Sequence, residues 1–316
     1  MKLTKTNFER AIFFSWYCST ADCKFCYMST QPKGQKMAVR SFASILAEFI
    51  LCKKLGWDIG FLSGGHNAYA ATDFLELLKL IKKTINEKIW INIGPIKKRE
   101  LTKFKPYIKG VVASIETINP KVHSFVCPSK PIKPFEKMLE EALKLKLKTA
   151  MTIILGLGEN IDDFKKLKVF IKKYKISKIH FYGLNPQKGT IFEKSSPPKK
   201  EYMAEWIKLT RKEFPKIDIQ AGIWLDRVDY VSDLLKAGAN SISKFPVIRY
   251  FGSEYAKEIE KQAKIAGRKF KGTLTEFKRF DVDKEVKRLK IDENLKEKVK
   301  NKLELYLRNL TPTSLS

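Results

Sequence analysis

The chain has 316 residues, 44% of them hydrophobic, and a formal net charge of +28. That length suits one large α/β barrel or two smaller domains, with apolar residues enough for a sizeable core. No apolar stretch approaches the roughly 20 residues of a membrane span, and Met1-Lys2-Leu3-Thr4-Lys5 opens no signal segment, so a soluble cytoplasmic protein with no membrane partner is expected.

Apolar, β-branched runs alternate along the chain with lysine-studded amphipathic ones. Taken in order, strands are expected at residues 11–17, 59–62, 89–93, 111–115, 150–155, 178–182, 217–220 and 241–243. Helices are expected between them at 38–55, 70–85, 99–103, 134–145, 161–174, 200–214 and 229–237. Buried strands that read as apolar runs, each followed by a helical period, imply parallel βαβ units. Eight such units in succession predict an α/β fold of the (β/α)8 TIM-barrel type over residues 1–252. From Ser253 the pattern becomes highly charged and helical, with its best helix at 292–307. Residues 253–316 therefore read as a helical C-terminal extension that caps the barrel.

A barrel places its chemistry just after each strand, and polar or glycine-rich residues gather there. The first strand runs into Cys18, Cys23 and Cys26, and the second into Ser63-Gly64-Gly65-His66. Glu116-Thr117 follows the fourth, Gly156-Leu157-Gly158-Glu159 the fifth, and Leu184-Asn185-Pro186 the sixth.

The cysteine loop is the densest signal. Five cysteines are an odd number and three share one nine-residue loop, which argues against a disulfide framework and for a reducing compartment. Three thiolates on one loop hold three irons of a [4Fe-4S] cluster and leave the fourth iron open to a ligand. A three-cysteine zinc site with a distant fourth ligand is the alternative from the residues alone. Cys52 reads as a buried helix thiol, and Cys127, in Val126-Cys127-Pro128, as a loop thiol.

This loop resembles the radical S-adenosylmethionine (SAM) superfamily, whose usual pattern is C-x3-C-x2-C with an aromatic residue before the last cysteine. Phe25 fills the aromatic place; the first gap holds four residues, Ser19 to Asp22, rather than three. The resemblance implies a barrel of the radical SAM kind that carries a [4Fe-4S] cluster on Cys18, Cys23 and Cys26 and binds SAM at the open iron. Ser63-Gly64-Gly65 matches the segment that receives the SAM amino group, with His66 where the family often has Glu. A sub-group containing biotin synthase, the iron-iron hydrogenase maturase HydE and methylornithine synthase offers further ordered matches. These are Glu116-Thr117, the turn from Gly156 to Glu159, Leu184-Asn185-Pro186 beside the adenine, and Ala237-Gly238-Ala239-Asn240 before the eighth strand. The lengthened cysteine loop and lysine-rich composition also resemble the HcgA (HmdB) family of iron-guanylylpyridinol cofactor biosynthesis.

The resemblance implies reductive cleavage of SAM to methionine and a 5′-deoxyadenosyl radical, which takes hydrogen from a small molecule in cofactor biosynthesis. A ferredoxin or flavodoxin would supply the electron. Candidate substrate contacts at strand ends are His66, His180, Tyr182, Gln220 and Arg227. The charge keeps nucleic acid open as a partner, because phosphates reward clustered Lys and Arg. The lysines are nevertheless dispersed over nearly every helix-like segment, as on a generally solvated surface. Two alternatives follow from the charge: a radical SAM enzyme that modifies RNA, and a zinc-stabilised nucleic-acid-binding module.

Overall fold

The structure is a computed structural model that describes residues 4–30 and 38–310. Among the described residues there are nine strands: β1 (Thr4–Phe13), β2 (Asp58–Ser63), β3 (Ile89–Asn92), β4 (Ile108–Glu116), β5 (Lys148–Leu155), β6 (Lys178–Gly183), β7 (Asp218–Gly222), β8 (Ser241–Ser243) and β9 (Arg268–Lys271). The barrel helices are α1 (Phe42–Leu55), α2 (Ala71–Ile85), α3 (Lys98–Phe104), α4 (Pro120–Val126), α5 (Lys133–Lys144), α6 (Phe164–Lys173), α7 (Lys200–Glu213) and α8 (Val231–Ala237). Beyond them lie α9 (Glu254–Ile265), α10 (Val282–Lys287) and α11 (Glu293–Leu310). Strands β1 to β8 pair in parallel, each with the next, and β1 pairs with both β2 and β8, so the sheet closes into the expected barrel.

The strands bury both faces. Their outward side chains join one continuous core with the helices, while Ala11, Phe61, Trp90, Val112, Ala150 and Tyr182 form an apolar layer inside the lumen. At the amino-terminal end of the lumen the filling turns ionic. Lys178 Nζ lies 2.6 Å from Glu9 Oε1 and 2.8 Å from Asp218 Oδ2, and Ser241 Oγ donates to Glu9 at 2.6 Å. Burial alone would push the Lys178 ammonium down, but the two carboxylates hold it above its ordinary value.

The first strand departs from the expected span. It begins at Thr4 and ends at Phe13, seven residues earlier than expected at its start, and Ser15 makes only an isolated bridge to Val39. Polar residues Thr6, Glu9 and Arg10 belong to it because each finds a distant partner: Asn240 O for Thr6, Lys178 for Glu9, Glu48 for Arg10.

The C-terminal extension, described to residue 310, lies along the flank of the barrel rather than over its mouth. Its strand β9 pairs with the start of β1, and α11 packs along α1. The cause is in α1, which starts from the Ser41 cap and buries residues on nearly every side. A helix apolar all round requires a second covering layer. Val299, Leu303 and Leu310 of α11 are buried there. The approach is close: a Cβ on Gly272 would stand 2.5 Å from the Leu55 carbonyl oxygen, so only glycine fits at this crossing.

Candidate active site

At the carboxyl ends of the strands the structure holds a cavity of about 410 Å³ with mainly apolar walls. Cys18, Cys23 and Cys26 line it together with Ser63, Gly64, Gly65, His66 and Glu116. The cysteine loop that follows β1 is pinned at both ends to loops that follow other strands. Ser19 N donates to His66 O at 2.9 Å, and Lys24 N donates to Val126 O at 2.8 Å. Gly65 lies directly beneath the loop: a Cβ there would be 1.9 Å from Tyr17 O and 2.6 Å from Cys18 Cα. The glycine after β2 thus serves close approach of two backbones, which any side chain would prevent.

The three thiols differ. Burial pushes the Cys18 thiol up, but the Thr20 hydroxyl at 3.1 Å and nearby backbone amides outweigh it and hold it below the ordinary value. Cys23 is raised well above its ordinary value, first by a contact with the Cys127 thiol and then by burial. Burial raises Cys26 to about 11. Among the described residues no three His, Cys, Asp or Glu side chains converge on a point that would ligate a single metal ion. Three thiols lining one cavity, beside a glycine-made approach, are a donor set that fits a [4Fe-4S] cluster with one open iron.

Glu116 ends β4 at a bulge and takes a left-handed conformation, φ +63°. That bend turns its carboxylate into the cavity, where Oε1 lies 2.5 Å from Lys130 Nζ. Burial lowers the Lys130 ammonium, and Glu116 followed by the thiols of Cys23 and Cys127 more than reverses this. Lys130 in turn adds to burial in lowering His66. Sequence reasoning missed Lys130; its signal was its place between two prolines in Pro128-Ser129-Lys130-Pro131, in the loop between α4 and α5.

Of the five substrate candidates, His66 and Tyr182 line the cavity, while His180, Gln220 and Arg227 do not. His180 is fully buried, with Nδ1 3.1 Å from Met151 O and its ring edge-on to Phe61; burial lowers it to about 3, so it is a neutral core residue. Gln220 sits beside it on β7, also buried. Arg227 is buried and spends its guanidinium on the loop after β6, donating to Leu184 O at 2.9 Å and Asn185 Oδ1 at 3.0 Å. It positions that loop instead of facing a substrate.

Leu184 and Asn185 line a second cavity of about 430 Å³, which shares Phe25, Cys26, Tyr182 and Lys244 with the first. Pro186 continues the same loop. The turn from Gly156 to Glu159 lines neither cavity. Glu159 folds back on it instead, accepting from Gly156 N at 2.6 Å and Leu157 N at 2.9 Å. Leu157 then packs with Leu184 and Cys127 under Cys23 and Phe25. Cys52 is a buried helix thiol as expected, whereas Cys127 is buried at the end of α4 and touches Cys23.

The comparisons with known proteins agree with this geometry. Residues 15–171 match the model of the Radical SAM superfamily. An uncharacterized protein of Methanocaldococcus jannaschii is 40% identical over 276 residues, covering 86% of this chain and 76% of the relative. Biotin synthase of Clostridium tetani is 27% identical over 250 residues, covering 76% and 75%. The crystal structure of methylornithine synthase (PylB) superposes with a TM-score of 0.66 at 21% identity, over 76% of this chain and 72% of that one, a likeness of fold. The match spans the cysteine loop and the strand ends from β2 to β5, and the chain is an enzyme of the radical SAM superfamily, which uses a [4Fe-4S] cluster and SAM.

Proposed function

We propose that this enzyme acts on a small molecule enclosed in the barrel, with Cys18, Cys23 and Cys26 as the three protein ligands of the cluster. The observation that carries the reading is the shared cavity: three thiols, the Gly64-Gly65 backbone and Glu116 face one space. Its volume lies in the range of about 300–1,000 Å³ typical of small-molecule sites. When bound, the cluster and SAM supply the chemistry, an electron breaking a carbon–sulfur bond to give methionine and a 5′-deoxyadenosyl radical that takes hydrogen from the substrate.

The chain's own residues orient and enclose. Phe25, between Cys23 and Cys26, contributes an apolar wall to both cavities. The Ser63-Gly64-Gly65 backbone would receive the amino end of SAM, and the Glu116 carboxylate, which Lys130 orients, would hold its ribose. Leu184, Asn185 and Pro186 would meet the adenine, on a loop that Arg227 holds from behind. Gly156 and Glu159 support that loop from below through the packing of Leu157 on Leu184. The apolar walls keep water from the radical.

The reaction belongs to cofactor biosynthesis, supported by the likeness to biotin synthase over 76% of the chain. A ferredoxin or flavodoxin delivers the electron. The test is anaerobic reconstitution, iron analysis, and reduction in the presence of SAM. About four irons per chain and 5′-deoxyadenosine above a Cys23→Ala control are expected. Absence of 5′-deoxyadenosine above that control rejects the assignment of these cysteines. Pyridinol precursors of the iron-guanylylpyridinol cofactor are the first substrates to assay, with loss of substrate hydrogen to 5′-deoxyadenosine as the readout.

A further inference from the structure

Lys244 follows β8 directly and takes a left-handed conformation, φ +71°, that only a minority of non-glycine residues adopt. The bend carries its side chain to the junction of the two cavities, which it lines on both sides. Its Nζ lies 4.5 Å from the ring centre of Tyr182, 5.6 Å from that of Phe13 and 5.9 Å from that of Trp224. Among the described residues no carboxylate comes within ion-pair distance of it. The lysines lining or plugging the lumen elsewhere have such a partner: Lys130 has Glu116, and Lys178 has Glu9.

Aromatic faces attract an ammonium, but they replace only part of the hydration that burial removes. One further donor stands beside Lys244: the Trp224 indole N–H is buried with no hydrogen-bond partner, whereas the Tyr182 hydroxyl faces the Ser243 hydroxyl. Buried polar groups are nearly always paired, so the exception calls for a reason. Here an ammonium ringed by aromatic side chains and an unpartnered indole N–H meet at one apolar-walled junction.

We propose that Lys244, with the Trp224 indole N–H beside it, forms a carboxylate-binding subsite, and that the substrate carries a carboxylate on an apolar or aromatic body. The ring walls suit such a body better than a phosphate, which prefers more donors and more water. The inference rests on the reading of the cavity as the place where substrate meets the radical. It adds the chemical class of that substrate and assigns a specificity-determining residue.

The test uses cluster-loaded protein and two probes of equal shape, benzoate and neutral benzamide, followed by ligand-observed NMR. Benzoate binds wild-type protein at least about 10-fold more tightly than benzamide. Lys244→Met removes most of that preference and leaves benzamide affinity unchanged. Lys244→Arg keeps it, and Trp224→Phe, which retains a ring but lacks the N–H, weakens benzoate by about 3-fold. Lys257→Gln, an exposed lysine of α9, leaves both affinities unaltered. Equal binding of the two probes to wild type, or an unaltered preference in Lys244→Met, overturns the proposal. So does a result in which Lys244→Met weakens SAM itself by the same factor as benzoate, because the carboxylate bound there would then be that of SAM. Failure of the radical reading is separately visible: wild type would form no 5′-deoxyadenosine, whereas the probe titration reads the subsite without turnover.

Discussion

Gly65→Ala isolates the contact that seats the cysteine loop. A methyl group there would stand 1.9 Å from Tyr17 O and 2.6 Å from Cys18 Cα and Cβ, where contacts below 3.0 Å are not tolerated. The backbone at Tyr17–Cys18 must therefore retreat by at least about 1 Å, as overpacking of a rigid interior requires. Gly65 is absent from the left-handed positions, so the effect is steric and not a matter of backbone conformation. The loop cannot retreat freely, because the bonds from Trp16 N to Ala38 O and from Ser19 N to His66 O hold it on either side of the clash. Overpacking of this kind costs about 1–3 kcal/mol. A misplacement of about 1 Å among reacting groups costs roughly 100-fold in rate. Iron per chain, the rate of 5′-deoxyadenosine formation and the melting temperature are measured together after anaerobic reconstitution. The variant folds, melts slightly lower, and loses iron or turnover far out of proportion to its stability. Gly267→Ala is the comparator: its Cβ meets nothing within 4 Å, although φ is +69°. It loses stability by about 1 kcal/mol from backbone strain and keeps its iron. A Gly65→Ala protein that loads four irons and turns over at the wild-type rate would refute the account of the seat.

Two other substitutions test the scaffold around the site. Glu48 accepts from Arg10 Nε at 2.7 Å and lies 2.6 Å from Arg40 Nη1, and Arg40 also donates to Phe13 O at 2.8 Å, so this buried carboxylate ties β1 to α1. Glu48→Gln leaves two guanidinium groups without their counter-charge and lowers stability by about 3 kcal/mol at pH 7, measured by urea unfolding. Burial pushes the Glu48 carboxyl up, but Arg10 and Arg40 hold it below the ordinary range. Its contribution is therefore complete above the unfolded value of about 4.3 and is lost as pH falls through the lower folded value. The gap between wild type and Glu48→Gln should close on acidification; a gap of equal size at pH 7 and pH 3 contradicts the pairing. Cys127→Ala removes a buried sulfur that touches Cys23 and stands outside the three proposed ligands. It lowers the melting temperature by a few degrees at unchanged iron content, at a cost of about 1 kcal/mol, and loss of one iron in four would instead make Cys127 a ligand.

Most strand ends were legible because buried parallel strands read as apolar runs and their exits as polar loops. The expected strand at 241–243 is β8 itself, and those at 150–155 and 178–182 lie within β5 and β6. The same logic placed Cys18, Cys23, Cys26, Gly65 and Glu116 together, since all follow strands of one closed sheet. It failed where a polar residue has a partner far along the chain. Lys5-Thr6-Asn7-Phe8-Glu9-Arg10 looks like a solvated leader, yet Glu9 meets Lys178, 169 positions away, inside the lumen. Strand β9, Arg-Lys-Phe-Lys, is half-exposed and so shows no hydrophobic alternation to betray it. His180 and Gln220 were offered as substrate contacts because they are polar on strands. Strand-end position, however, specifies depth only to within a residue or two, and both lie below the apolar layer in which Phe61 and Tyr182 sit.

The basic side chains teach the complementary lesson. Among 62 Lys and Arg residues, type alone carries almost no information, and the net charge of +28 first directs attention to phosphates. Most of the acids that pair with this charge do so at the surface, where an ion pair contributes little. What separates Lys130 and Lys244 from the rest is that both line the cavity, Lys244 directly after β8 and Lys130 in the loop after α4. Burial makes an ammonium expensive, so it persists only where a counter-charge, present or arriving with a ligand, offsets the loss of water. Lys130 has its counter-charge in Glu116, 2.5 Å away, and is part of the permanent wall. Lys244 has only rings, and its place immediately after β8 satisfies the same strand-exit rule that located the cysteines. Applied to lysines as strictly as to cysteines and glycines, that rule would have separated Lys244 from the solvated majority, whereas Lys130, which follows α4, reaches the cavity only through the fold.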